Sequence, residues 1–388
     1  MTEKRIYLDY SATTPVRPEV HQAMAPYFEA EFGNPSSMHS YGRAARVAIE
    51  TSRRRILQLL GAPAGSGLVF TGSGSEADNL AILGFARRHP SACIVRSSIE
   101  HKAVIQATKT VQAEGHDVRI APVDGRGVID VAALSELIPA DGPPTLVALM
   151  WANNETGVVQ PIHDVAELCA RRGATLFSDA VQALGKIPLD FERASPDLVA
   201  FSAHKLGGSK GVGGLLIRGG IALDPIVHGG GQEAGLRSGT ENVSGIVGFA
   251  RATALSVEEL HREPVRLRAL RDRLQTGLQT ALPEIVINGA DAPHRLPNVL
   301  NLSLPDLDLE GVLTALDLEG ICVSSGSACT TGSVEASHVM AAMGREGDLA
   351  QNTIRISLGW GTRADEIEYV LRTFPKIVAR VREFAAGA

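Results

Sequence analysis

The chain has 388 residues, 44% hydrophobic and 21% charged, with 40 glycines, four cysteines and a formal net charge of −6. That length holds two or three domains, and the composition is that of a globular protein, which excludes intrinsic disorder, a collagen-like repeat and a fibrous heptad architecture. Four cysteines cannot staple so long a chain, no apolar run reaches the roughly 18 residues of a membrane span, and MTEKRIYLDY lacks a signal-peptide core. A cytoplasmic protein that binds neither membrane nor nucleic acid directly is expected. From about residue 65, short β-branched runs appear at 68–72, 93–98, 117–123, 145–153, 174–181 and 198–205. Helical stretches such as 76–89 and 163–173 lie between them, with apolar residues three and four apart. Strands apolar throughout, alternating with helices, predict a buried and mostly parallel α/β sheet. The runs at 198–205 and 211–219 are too close for a helical crossover, so they read as a hairpin and the sheet as mixed.

Beyond residue 240 the texture changes. A long arginine-rich helical segment (roughly 246–281) precedes a strand at 298–304, a helix at 308–319, a loop with Cys322 and Cys329, a strand at 353–360 and a last helix at 364–384. This predicts a second, smaller α+β domain. The arginines at 262, 266, 268, 271 and 273 read as a solvated helix surface with nearby acids rather than a docking face.

Four features carry chemistry. Lys205 ends an apolar strand in FSAHKLGG, where desolvation favours the neutral amine needed to form a Schiff base. Asp179 ends ATLFSD; ligands of open α/β sheets sit at such strand ends, and an Asp there can pair with a cationic ring nitrogen. TGSGSEADN (71–79) follows a strand and opens a helix, so its backbone N–H groups can cradle a phosphate. It fits neither the Walker A nor the dinucleotide-binding spacing. In SSIEHKAV (97–104), His101 falls in the first turn of a helix, free to stack on a ring. Each has a plainer reading: a surface lysine, a turn aspartate, and capping boxes at Ser73-x-x-Glu76 and Ser97-x-x-Glu100. Together they place a phosphate cradle, a stacking His, an Asp and a Lys on successive strand ends, an order that suits pyridoxal phosphate.

The motifs YLDYSATTP (7–15), FGNPSSMHSYGR (32–43), FTGSGSEADNLAI (70–82), EHKAV (100–104), NNETGVVQ (153–160), DAVQ (179–182), SAHK (202–205), HGGGQEAGLRSGTEN (228–242), SSGSACTTGSVEASHV (324–339) and IRISLG (354–359) run nearly end to end. In them the chain resembles the cysteine desulfurases of the NifS/IscS type, in the class V aminotransferase branch of fold type I pyridoxal phosphate enzymes. The resemblance implies an α/β large domain (15–258) whose mostly parallel seven-stranded sheet is flanked by helices. It also implies a smaller α+β domain (1–14 and 259–388) carrying a cysteine loop.

For the site, the resemblance implies that Lys205 is the Schiff-base lysine, Asp179 the partner of the pyridine nitrogen, His101 the stacking and proton-handling residue, and Gln182 the contact of the phenolic oxygen. Gly74, Ser75, Ser202 and His204 hold the phosphate, joined by Thr240 from the partner subunit of a homodimer. Asn154 and Arg355 hold the carboxylate of L-cysteine, Arg through its planar fork. Cys329 is the nucleophile that becomes a persulfide and passes its sulfur to an acceptor protein. Cys93, Cys169 and Cys322 are expected to be structural. Ala336 and Ser209 stand where the family usually has Pro. The chain stops at VREFAAGA without the longer tail of members that load an iron–sulfur scaffold, so a specialised acceptor in cluster assembly, tRNA thiolation or DNA sulfur modification is expected. A selenocysteine lyase, an aminotransferase and a non-catalytic sulfur platform stay open as alternatives.

Overall fold

The computed structural model describes residues 5–191, 193, 195–325 and 336–387, with side chains described as far as 384. Its strands are β1 (Ile6–Tyr7), β2 (Gly67–Thr71), β3 (Cys93–Ser97), β4 (Asp117–Ala121), β5 (Thr145–Ala148), β6 (Thr175–Asp179), β7 (Leu198–Ser202), β8 (Gly213–Ile217), β9 (Val286–Ile287), β10 (Val299–Ser303), β11 (Ile321–Cys322), β12 (Ser324–Ser325) and β13 (Thr353–Ser357).

Seven of them form one sheet in the order β2-β8-β7-β6-β5-β3-β4. Strands β3 to β7 pair in parallel, whereas β8 runs antiparallel to both β7 and β2. The expected hairpin therefore exists and makes the sheet mixed. Every residue of β3, β5, β7 and β8 is buried, because helices cover both faces and leave no side for a polar residue. The chain runs from β3 out to β4, then returns to lay β5 on the other side of β3. That reversal opens a crevice at the carboxyl ends of β3 and β5, where α/β sheets take their ligands.

The second unit is built on β12-β13-β10-β9, antiparallel throughout, with β1 and β11 paired beside it. Its core gathers Leu8, Leu274, Leu302, Ile356 and Phe374, so the first residues of the chain pack with its last third. A small cluster joins Ile99 and Met150 to Val339, Met340 and Met343 and so ties the ends of β3 and β5 to the segment after residue 336.

Three expectations change. The arginine-rich segment is two helices, Val243–Glu258 and Glu263–Ala281, separated by a tight turn at Glu259–His261. Pro264 lies in the first turn of the second helix and has no N–H with which to continue the first. The arginines are paired with acids as expected, Arg266 with Glu263 (2.5 Å), Arg262 with Glu259 (3.2 Å) and Arg273 with Glu368. Arg271, however, is buried and donates to the Leu296 carbonyl (2.7 Å), which makes it a brace between elements rather than part of a solvated surface. Among the cysteines, Cys93 and Cys169 are buried and burial pushes their thiols up to about 11 and about 12. Cys322 is only half-buried, at the β1 pairing.

Candidate active site

A cavity of about 360 Å³ lies at the carboxyl ends of the large sheet and is closed on one side by residues of the second unit. Ten of the residues expected from the sequence line it: Gly74, Ser75, His101, Asn154, Asp179, Gln182, Ser202, His204, Lys205 and Arg355. Thr240 does not; it is exposed, on the segment after residue 228. Cys329 lies outside the described residues.

The cradle begins at Ser73, whose hydroxyl caps the helix Gly74–Arg88 by accepting from the Glu76 N–H (3.1 Å). Glu76 does not return that bond to Ser73. Its carboxylate accepts from the Gly72 N–H (2.8 Å) and pairs with Arg237 (2.8 Å), which fastens the 228–242 segment to the cradle. Gly74 is needed for its lack of a side chain: a Cβ there would lie 2.8 Å from Val181 Cγ2. Gly213 of β8 is under tighter constraint, since a Cβ would come within 2.5 Å of the Ser73 backbone. Ser202 lines the cavity, and its buried hydroxyl has no hydrogen-bond partner among the described residues.

Lys205 follows β7 in a single tight turn, Ala203–Lys205. Its ammonium donates to the carbonyls of Ser11 (2.6 Å) and Ala12 (2.7 Å), brought in by the N-terminal segment. Desolvation, reinforced by Arg355, lowers its pKa to about 8 against the pull of Asp179 and Asp9. His204 accepts or donates at Thr13 Oγ1 (3.1 Å) and is pushed down to about 4 by burial and neighbouring lysines, so it is a neutral ring at pH 7.

His101 departs from the sequence reading in a useful way. The helix starts at Lys102 and His101 is itself the cap, its Nδ1 accepting from the Ala103 N–H (3.2 Å). With Nδ1 engaged as an acceptor, the proton of the neutral ring sits on Nε2. The expected Ser97–Glu100 capping box does not form, because Ser97 is the last residue of β3. Its hydroxyl instead bonds the Glu100 carboxyl, which also accepts from the Met150 N–H (2.9 Å). Glu100 is fully buried and raised to about 8 by desolvation. It thus ties the ends of β3 and β5 together directly beside His101. His338 adds a further tie by donating from Nε2 to the Glu100 carbonyl (2.9 Å).

Asp179 is buried and accepts from the Val181 N–H (2.9 Å). Burial raises its pKa, while His101 and Lys205 pull it back towards the ionised form. Asp78, buried in the cavity wall, was not singled out from the sequence. An oxygen of Asp78, one of Asp179 and a ring nitrogen of His101 all lie within 4.8 Å of one another. Burial, with the neighbouring Asp179 and Glu100, raises Asp78 well above its usual carboxylate value. A signal for it exists: Asp78 shares the buried helix face of Ala81, Ile82 and Phe85 and is its one acid.

Arg355, on β13, donates from Nη2 to Asp9 (2.9 Å) and from Nη1 to the Asn154 carbonyl (3.0 Å). Its buried Nε has no partner among the described residues. A planar fork so held, facing a lysine with an accessible neutral form, can grip a carboxylate while an amine or Cα–H lies against Lys205.

The Aminotransferase class-V family profile matches residues 6–370. The chain is 40% identical over 385 residues to cysteine desulfurase IscS of Clostridium botulinum, covering 98% of this chain and 96% of that protein. It is 44% identical over 385 residues to a cysteine desulfurase of Cereibacter sphaeroides, covering 98% of this chain and 97% of the relative. A solved structure of a NifS-like protein superposes with a TM-score of 0.89 at 36% identity, over 97% of this chain and 100% of that one. The cavity at the strand ends, the cradle and the lysine behind β7 are therefore those of a member of the class-V aminotransferase family, to which this chain belongs.

Proposed function

We propose that the chain is a pyridoxal phosphate-dependent cysteine desulfurase, a sulfurtransferase that leaves L-alanine and an enzyme persulfide. The observation that carries the reading is the convergence of Lys205, Asp179, His101 and Arg355 on one cavity beside a helix N-terminus. The cavity fits the cofactor on its own terms. The unpartnered Ser202 hydroxyl, the side-chain-free approach at Gly74 and the N-terminus of the helix Gly74–Arg88 suit a phosphate. The ionisable Asp179 suits a ring nitrogen. Gly74, Ser75, Ser202 and His204 would hold the phosphate and Gln182 the phenolic oxygen, with His101 against the ring.

When bound, pyridoxal phosphate supplies an aldehyde for amines and a ring that stores the electrons of a broken C–H bond. The protein does the rest. Arg355, held by Asp9 and Asn154, orients the substrate carboxylate. Lys205, with a pKa near 8, takes the proton from the substrate Cα. His101, with its proton on Nε2, moves a proton within the cavity. The Cys329 thiolate attacks the substrate sulfur: an S–S bond forms, the C–S bond breaks, and its electron pair stays with the carbon, which is protonated to alanine.

Thr240, exposed on its own protomer, fits a phosphate contact made across a homodimer. The acceptor of the persulfide is a protein of cluster assembly, tRNA thiolation or DNA sulfur modification. A cytoplasmic setting accords with the free Cys93, Cys169 and Cys322; among the described residues no helix is long and apolar enough to cross a membrane.

The test is to load the protein with pyridoxal phosphate, add L-cysteine, and measure alanine together with the mass of one added sulfur on Cys329. Cys329→Ser should keep the visible cofactor band and make no persulfide. No alanine from the wild type would overturn the function. Wild-type persulfide in the serine variant would overturn only the assignment of the nucleophile.

A further inference from the structure

Lys186 is a buried lysine that the mechanism above does not use. It sits in the turn after β6 and is 9% exposed. It does not line the cavity at the strand ends. Its ammonium donates to Gln182 Oε1 at 2.9 Å, and the same amide donates from Nε2 to the Ser11 carbonyl at 2.9 Å. Gln182 does line the cavity and is itself buried.

A glutamine amide can be turned end for end with almost no change of shape, so its chemistry is set by its partners. Here the two partners make opposite demands. An ammonium can only donate, so Oε1 must face Lys186 whenever that lysine is charged. A carbonyl can only accept, so Nε2 must face Ser11. The reversed amide would set N–H against ammonium and oxygen against oxygen in a buried site, two repulsive contacts at once. Once Nε2 has given one hydrogen to Ser11, its second hydrogen is the group left to serve the cavity.

Building on the functional reading above, we propose that Lys186 is a positioning residue: it locks the Gln182 amide so that the cavity meets an N–H donor, which selects an anionic oxygen on the bound ring. The cost of keeping a cation there fits a dedicated role. Burial, with Lys205 and Arg355 nearby, lowers Lys186 to about 7, so its charged form is costly there and the Gln182 oxygen is the partner that favours it, a cost that an apolar side chain would not carry. The reading also explains why Ser11 matters twice, since its carbonyl holds both the Lys205 ammonium and the Gln182 amide.

The test is a double-mutant cycle read by the visible absorbance of the cofactor-loaded protein as a function of pH, with no substrate present. A donor on the phenolic oxygen favours its anion and weakens its hold on the neighbouring Schiff-base proton. Lys186→Met and Gln182→Leu should therefore each raise the midpoint of the absorbance titration by about one pH unit, a tenfold change in proton affinity. The double variant should shift no further than Gln182→Leu alone. Lys186→Arg, which keeps the donor, should stay near the wild-type midpoint. An unchanged midpoint in Lys186→Met would overturn the proposal, as would a full extra shift in the Gln182→Leu background, which would mean that Lys186 acts by charge alone. If the methionine variant does not fold, judged by the melting of the cofactor-free protein, the cycle with Lys186→Gln decides by the same coupling criterion. A wild type with no visible band would overturn the functional reading itself, a result separate from any of these.

Discussion

Glu100→Gln isolates the carboxyl that joins the ends of β3 and β5. The wild-type side chain is fully buried, bonded to Ser97 and Met150, and raised by desolvation from 4.5 to about 8. Its folded-state pKa is thus above its unfolded one, so between pH 4.5 and 8 the folded protein binds more protons at this site than the unfolded chain does. Stability must fall as pH rises through that window, by about 1.4 kcal/mol per pH unit for this one group. The glutamine variant keeps an oxygen for both hydrogen bonds and cannot ionise. Its amide N–H₂ replaces an oxygen that has no partner, which adds a constant penalty but no slope. The observable is therefore the difference between the two denaturant-derived stabilities plotted against pH. It should tilt in favour of the variant from pH 4.5 upward, reaching on the order of 4 kcal/mol near pH 8, and be flat below pH 4. Asp78 feels the Glu100 charge and Glu100 feels that of Asp179, so the slope belongs to this coupled group of carboxyls, with Glu100 the member that the substitution removes. Parallel stability curves across the window would refute the reasoning and show that Glu100 ionises freely in the folded state.

Three further outcomes are expected. Uptake of pyridoxal phosphate by the cofactor-free protein, followed by growth of the visible band, should accelerate as pH rises through about 8, where half of Lys205 is the neutral amine; a midpoint near the free-lysine value would show that the site does not depress it. Gly213→Ala forces a Cβ against the Ser73 backbone, which cannot swing away as a side chain could. It should cost about 1–3 kcal/mol in denaturant titrations and weaken phosphate binding at the cradle. Arg355→Lys loses the fork that Asp9 and Asn154 hold, so the KM for L-cysteine should rise about 10- to 100-fold, the equivalent of one charged hydrogen bond, with the cofactor band unchanged.

The local chemistry of this protein was legible in its sequence because it is written in consecutive residues. Apolar β-branched runs define β2 to β8, small residues after β2 make the cradle, and strand-end Asp179 and Lys205 stand where an open sheet binds ligands. The α/β class and the hairpin of β7 and β8 follow from spacing alone.

Helix boundaries were less legible. Capping is decided by single backbone angles, and these made His101 rather than Ser97 the cap and let Pro264 divide a continuous arginine-rich pattern. Burial of a charged residue is invisible to a helical period when its partner is remote. Arg271 looked like a surface arginine until the Leu296 carbonyl, distant in sequence, came to lie against it.

The sequence by itself determined which groups are present and at which strand ends they sit. Only the tertiary structure decided what each group is made to be. The carbonyls of Ser11 and Ala12 hold Lys205, Asp9 and Asn154 hold Arg355, and Lys186 turns Gln182. Protonation and hydrogen-bond direction depend on desolvation and on neighbours brought from far along the chain, and neither is a property of any short stretch of residues.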